Sequence, residues 1–136
     1  TLSSSSAASD VYKRQISDSQ IDTKYFSILS GDDQTFNSFM ANGGDGVISV
    51  AANIIPSQIS QICSLNLAKQ FNDASELNSI FANIYELLFV ESNPMPVKWM
   101  LQKMERISSG IRLPLVPFNK DFHEKTINEM VKLKLL

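Results

Sequence analysis

Two short apolar runs, Tyr25-Phe26-Ser27-Ile28-Leu29 and Gly46-Val47-Ile48-Ser49-Val50, constrain the topology of this chain more than any other feature. Both are of strand length, and turn residues bound them: Ser30-Gly31-Asp32-Asp33 follows the first, and glycines flank the second. Between them Phe36, Phe39 and Met40 recur at i, i+3 and i+4, the spacing of a short amphipathic helix. Asn42-Gly43-Gly44 predicts its end, because glycine tolerates the left-handed conformation that closes helices. Strand, helix and strand within 26 residues define a βαβ unit, with parallel strands, a right-handed crossover and cover on both faces of the sheet. Two strands neither close a barrel nor make a large sheet. The order βαβα followed by extra helices therefore predicts the tail end of a larger α/β protein.

After Pro56 the spacing is helical throughout. Ile59, Ile62, Cys63 and Leu67 mark one face of a first helix, and Pro56 suits its opening turn. Asp73 and Glu76 predict a capping box before a second, longer helix, whose stripe is Leu77, Ile80, Phe81, Ile84 and Leu88. Asn93-Pro94-Met95-Pro96 breaks the chain. Val97, Met100, Leu101 and Met104 form a third stripe, with Gly110 as its predicted stop. The proline-punctuated segment Arg112-Leu113-Pro114-Leu115-Val116-Pro117 leads to a second predicted capping box, Asp121-x-x-Glu124, and a last helix carrying Ile127, Met130 and Val131. No internal repeat is visible.

Residues 1–15, TLSSSSAASDVYKRQ, stand apart from this pattern. They lack the apolar stretch of a secretory signal and the Arg-rich amphipathic character of an organellar presequence. A Ser/Ala-rich flexible tail is one reading. Another is that Asp10–Gln15 back-translates to GAT GTG TAT AAG AGA CAG, which looks like the mosaic-end adaptor of transposase-made libraries. The segment is expected to be non-native or disordered.

Bulk properties exclude some classes. Net charge is −2 with scattered Lys and Arg, so no basic patch is placed to neutralise phosphates and no nucleic-acid partner is expected. The longest apolar run, Leu87–Val90, is far short of the roughly 20 residues of a membrane span, so no membrane partner is expected. The single cysteine, Cys63, excludes an internal disulfide and a cysteine-based zinc site. A soluble cytoplasmic protein is the expectation.

Candidates for chemistry are few. Ser30-Gly31-Asp32-Asp33 follows a strand, where α/β and barrel enzymes place their sites. Its aspartates could bind a metal or act as acid and base, but capping the next helix is the commoner role. Gly43-Gly44-Asp45-Gly46 precedes a strand and so reads as a turn, since a phosphate loop needs strand, glycines and helix in that order. By pattern alone Ile48 and Ser49 are core or wall. His123, the sole histidine, has no partner in sequence and reads as a solvated helix residue. Trp99 and Cys63 read as packing residues. Lys98 is a conceivable amine nucleophile, with snorkelling as the ordinary alternative.

Taken together, Phe26-Ser27-Ile28-Leu29-Ser30-Gly31-Asp32-Asp33, Gly43–Val50 and Asn93-Pro94-Met95-Pro96-Val97-Lys98 resemble the dihydrodipicolinate synthase family of bacterial lysine biosynthesis. Arg112-Leu113-Pro114 and the terminal helix ending Leu135-Leu136 fit the same pattern, so the resemblance covers residues 16–136. It implies an α/β chain that is the C-terminal fragment of a (β/α)8 TIM barrel. Residues 16–55 would carry the last two strands, with Tyr25–Leu29 as the seventh and Gly46–Val50 as the eighth. Residues 56–136 would form the last barrel helix and a C-terminal helical appendage.

The implied enzyme is a lyase that condenses pyruvate with L-aspartate 4-semialdehyde, through a lysine Schiff base, to 4-hydroxy-tetrahydrodipicolinate. It would be a homotetramer or homodimer and need neither cofactor nor metal. The resemblance makes Ile48 the position whose main-chain carbonyl faces pyruvate, and puts Gly31 and Asp32 at the rim near the second substrate. It supplies no catalytic residue. The family's threonine pair, proton-relaying tyrosine and arginine have no counterpart, and the Schiff-base lysine is expected near residue 6, where Ser6 stands. The chain as given is therefore expected to be inactive.

An N-acetylneuraminate lyase-like aldolase is the alternative within the superfamily. Those enzymes carry Gly-Tyr-Asp-Glu in the first loop and a serine two residues after the Ile48 position. Here Gly31-Asp32-Asp33-Gln34 and Val50 depart from both. An alternative of another class is a non-catalytic, truncated interaction module that uses the Gln34–Asn42 helix and its unpaired strands.

Overall fold

The computed structural model describes residues 27–136. The segment 1–15, and Tyr25 and Phe26 of the first expected strand, lie outside the described residues. Strand β1 is Leu29–Ser30 and β2 is Gly46–Val47; they pair in parallel with Leu29 opposite Gly46 and Ser30 opposite Val47. Helix α1, Phe36–Ala41, makes the crossover. Its Phe36, Phe39 and Met40 are all buried, as their spacing predicts. Asn42-Gly43 closes it, with Gly43 at φ +99° and its N–H donating to Met40 O at 3.0 Å. Gly44 is needed for space, because a Cβ there would run into the Phe39 ring.

The second strand is shorter than the expected Gly46–Val50. At Val50 the backbone turns into a 3₁₀ turn, Ala51–Asn53, because the Asp33 carboxylate takes the Val50 and Ala51 N–H groups out of any ladder.

Helix α2 spans Pro56–Leu67 with Pro56 in its first turn. Ile59 and Ile62 face the core, but the expected Leu67 is 63% exposed. Asn66 takes the inner position, its Nδ2 donating to Asn37 Oδ1 (2.8 Å) and Ile62 O (3.0 Å). The expected second helix is two helices, α3 Phe71–Ser79 and α4 Ala82–Leu88. Ile80 and Phe81 make tighter i−3 bonds to Leu77 O and Asn78 O, which turns Ile80 to solvent while Phe81, Ile84 and Leu88 stay buried. The Asp73–Glu76 capping box does not form. The α2 terminus leads straight into α3 through Gln70, so Asp73 already lies inside the first turn.

Helix α5, Met95–Lys103, ends at Met104-Glu105, well before Gly110. Before α6, His123–Lys132, a 3₁₀ turn Lys120–Phe122 is capped by Asn119, whose side chain accepts from Asp121 N; Asp121 is not the cap. Met130 is buried as expected, Val131 is exposed, and Thr126 fills the inner face with its hydroxyl bonded to Phe122 O at 2.7 Å. One apolar cluster joins α1 (Phe36, Met40) to Ile54, Ile62, Leu88, Met100 and Met130. No helix of the described residues is long and apolar enough to cross a membrane.

Candidate functional site at the strand ends

The parallel pairing brings the loops after β1 and β2 together. Ile48 N–H donates to Ser30 O at 2.8 Å, so Gly31 and Asp32 follow directly on the residue that Ile48 contacts. Ile48 is 71% exposed, and a Cβ placed on Gly31 would meet no atom within 4 Å. All three residues singled out from the sequence thus lie at one open end of the sheet.

The two aspartates have separate tasks. Asp32 is exposed, and its Oδ2 accepts from Thr35 N (3.0 Å) and Thr35 Oγ1 (2.6 Å), while its carbonyl accepts from Phe36 N. Its side chain holds the turn that leads into α1, bonding the N-cap residue Thr35 rather than an N–H of the helix itself. Asp33 is 1% exposed, and its Oδ2 accepts from both Val50 N and Ala51 N at 3.0 Å. Its Oδ1 is buried without a hydrogen-bond partner among the described residues. Sequence reasoning grouped both as caps for the following helix and missed the tie across to residues 50 and 51. No local signal could show it, because the bond spans 17 residues.

Burial, then the Asp33 charge, then Cys63 push the Tyr85 phenol above its ordinary value, and burial pushes the Cys63 thiol up. Neither residue is poised for chemistry. Among the described residues no group of three or more His, Cys, Asp or Glu side chains could hold a metal.

The solvated reading of His123 is corrected. Its ring stacks on Trp99 (4.3 Å between centroids), and Nε2 lies 3.1 Å from Phe118 O. A concavity beside this stack is lined by Met95, Lys98, Trp99, Gln102, Ile111 and Phe118, and shares no residue with the strand-end loops.

A model of the dihydrodipicolinate synthetase family matches residues 5–133, starting within the segment set apart by its composition. The 4-hydroxy-tetrahydrodipicolinate synthase of Teredinibacter turnerae is 48% identical over 98 residues, covering 72% of this chain and 34% of its own length. The chain thus spans about a third of the length of that curated relative. A dihydrodipicolinate synthase of Acinetobacter baumannii, solved in complex with pyruvate, superposes with TM-score 0.78 at 43% identity over 81% of this chain and 38% of that one. The Thermotoga maritima enzyme gives TM-score 0.87 at 33% identity, over 94% and 43%.

Proposed function

Given that this chain belongs to the dihydrodipicolinate synthetase family, we propose that it forms the last two β/α units and the helical appendage of a (β/α)8 barrel. The full-length protein would be a cytoplasmic lyase that condenses pyruvate with L-aspartate 4-semialdehyde. The reading is supported by the strand-end geometry: the Ile48–Ser30 hydrogen bond brings Ile48 beside Gly31 and Asp32 at the carboxyl ends of parallel strands, the end where barrel enzymes hold substrate.

A lysine imine makes the chemistry possible, because it turns the pyruvate methyl into an enamine nucleophile. Ile48 would contribute a main-chain acceptor near the bound keto acid, and Gly31 and Asp32 would border the aldehyde. The imine itself needs a lysine at the family position near residue 6, where this chain has Ser6. We therefore expect this 136-residue chain to form no imine.

Genomic sequence across the Gln15/Ile16 junction tests the reading. Continuous coding into an Ile-Lys-Glu-Ala type motif supports it; a verified start codon ahead of Thr1 moves the chain to the non-catalytic class. Borohydride treatment with labelled pyruvate should leave the chain unlabelled, and a stoichiometric adduct, for instance on Lys98, would show a nucleophile this reading omits.

A further inference from the structure

We propose that Asp33 is a positioning residue that fixes the backbone carrying the Ile48 carbonyl. The functional half of this inference rests on the pyruvate-facing role proposed for that carbonyl.

Residues 48–51 are held at two places, by the end of β1 and by the loop that follows it. Ser30 O accepts from Ile48 N at 2.8 Å, and Asp33 Oδ2 accepts from Val50 N and Ala51 N at 3.0 Å each. Beyond the latch, Ala52 N donates to Ser49 Oγ, and the carbonyls of Val50 and Ala51 accept from Asn53 N and Ile54 N. The Ile48 carbonyl accepts no hydrogen bond among the described residues, so anchors on either side set its place.

The burial of Asp33 argues against a mere cap. A surface side chain suffices for a three-residue 3₁₀ turn, as exposed Asn119 shows before Lys120–Phe122. Burying a carboxylate costs free energy unless hydrogen bonds compensate, and here one oxygen is without a partner among the described residues. What the buried group gains is reach. It ties the β1 loop to the start of the 3₁₀ turn across 17 and 18 residues, with charge-assisted bonds that resist displacement. An acceptor that faces a reacting group needs this constraint, because a displacement of about 1 Å can cost on the order of a hundredfold in rate.

Amide hydrogen exchange and carbonyl ¹³C shifts on the 136-residue chain test the latch. In Asp33→Ala, Val50 and Ala51 should exchange about tenfold faster or more, the scale of one charge-assisted hydrogen bond. The Ile48 carbonyl resonance should move, while Ile62 and Ile84 keep their rates. Asp33→Asn, which retains one acceptor oxygen, should show the same pattern at smaller size, and it decides the matter if Asp33→Ala does not fold. Unchanged Val50 and Ala51, or a uniform rise at every amide with the Ile48 resonance unmoved, would overturn the proposal. No pyruvate is present in this experiment. A failed latch therefore leaves the proposed function standing, since that is tested separately by the Gln15/Ile16 junction and by borohydride trapping.

Discussion

Tyr85 shows how a residue's surroundings set its response to pH. Its ring is buried edge-on against Phe36, and its hydroxyl donates to Asn78 Oδ1 at 3.1 Å. Burial and the nearby Asp33 charge hold the proton on. In the unfolded chain the same phenol ionises near pH 10, as a free tyrosine does at about that pH. Above that pH the unfolded state binds fewer protons than the folded one, so stability falls as pH rises; below it the contribution is fully present. Cys63 acts in the same direction from a lower pH, because its thiol is also pushed up. The melting temperature should therefore drop on going from about pH 9 to about pH 11, and Tyr85→Phe should flatten that limb. The same variant loses the bond to Asn78, at a cost of about 1 kcal/mol at neutral pH. Equal alkaline slopes in the two proteins would contradict the assignment. None of this was legible from sequence, where Tyr85 falls outside the predicted stripe. The candidate site was legible only in part: Gly31, Asp32 and Ile48 do meet at one end of the sheet, but they were singled out through a resemblance, since apolar pattern alone made Ile48 core or wall and it is largely exposed.

Helices proved easier to locate than to delimit. Each of the stripes beginning at Ile59, Val97 and Ile127 lies on a real helix, because 3.6-residue periodicity survives local detail. The end of the Val97 helix lies earlier than predicted because its terminating residue is not glycine, and the other two close in the same way. Lys69, Glu105 and Lys134 adopt φ of 61°, 57° and 57°. In each case the following N–H reaches back to the carbonyl five residues earlier: Gln70 to Leu65, Arg106 to Leu101, Leu135 to Met130. This is the Schellman closure, which glycine ordinarily serves. Glycine as the stop signal points to Gly110, beyond the true end at Met104. The left-handed conformation is costly for a residue with a Cβ, so Lys134→Gly should stabilise the chain by about 0.5–1 kcal/mol after glycine's larger unfolded-state entropy is charged against it. Denaturant unfolding of Lys134→Gly and Lys134→Ala reads this directly. If the glycine variant is no more stable than the alanine variant, the closure is not strained.

At the level of the whole described molecule, cohesion comes from the helices. The apolar cluster draws on all six helices, α3 through Ala74, whereas the strand ladder consists of four residues in two paired positions. A parallel pair this short contributes little on its own, since sheets generally need three or more strands or a covering helix for independent stability. The sequence pattern revealed the βαβ order because apolar strand runs and glycine turns are local signals. It overestimated β2 because the tie that ends this strand comes from Asp33, a residue distant in the chain. Opening should follow the distribution of buried contacts. Amides of Ile62, Ile84, Leu88, Met100 and Met130 should exchange last and together. Those of Leu29 and Gly46, at the outer end of the ladder where Ile28 N is held by the exposed Asp45 carboxylate, should exchange first. Val50 and Ala51 should fall between these groups, because the Asp33 latch anchors them to the helical core. Native-state exchange in rising denaturant orders the three classes. Ladder amides that open only with the helices would show instead that the sheet is an integral part of the cooperative core.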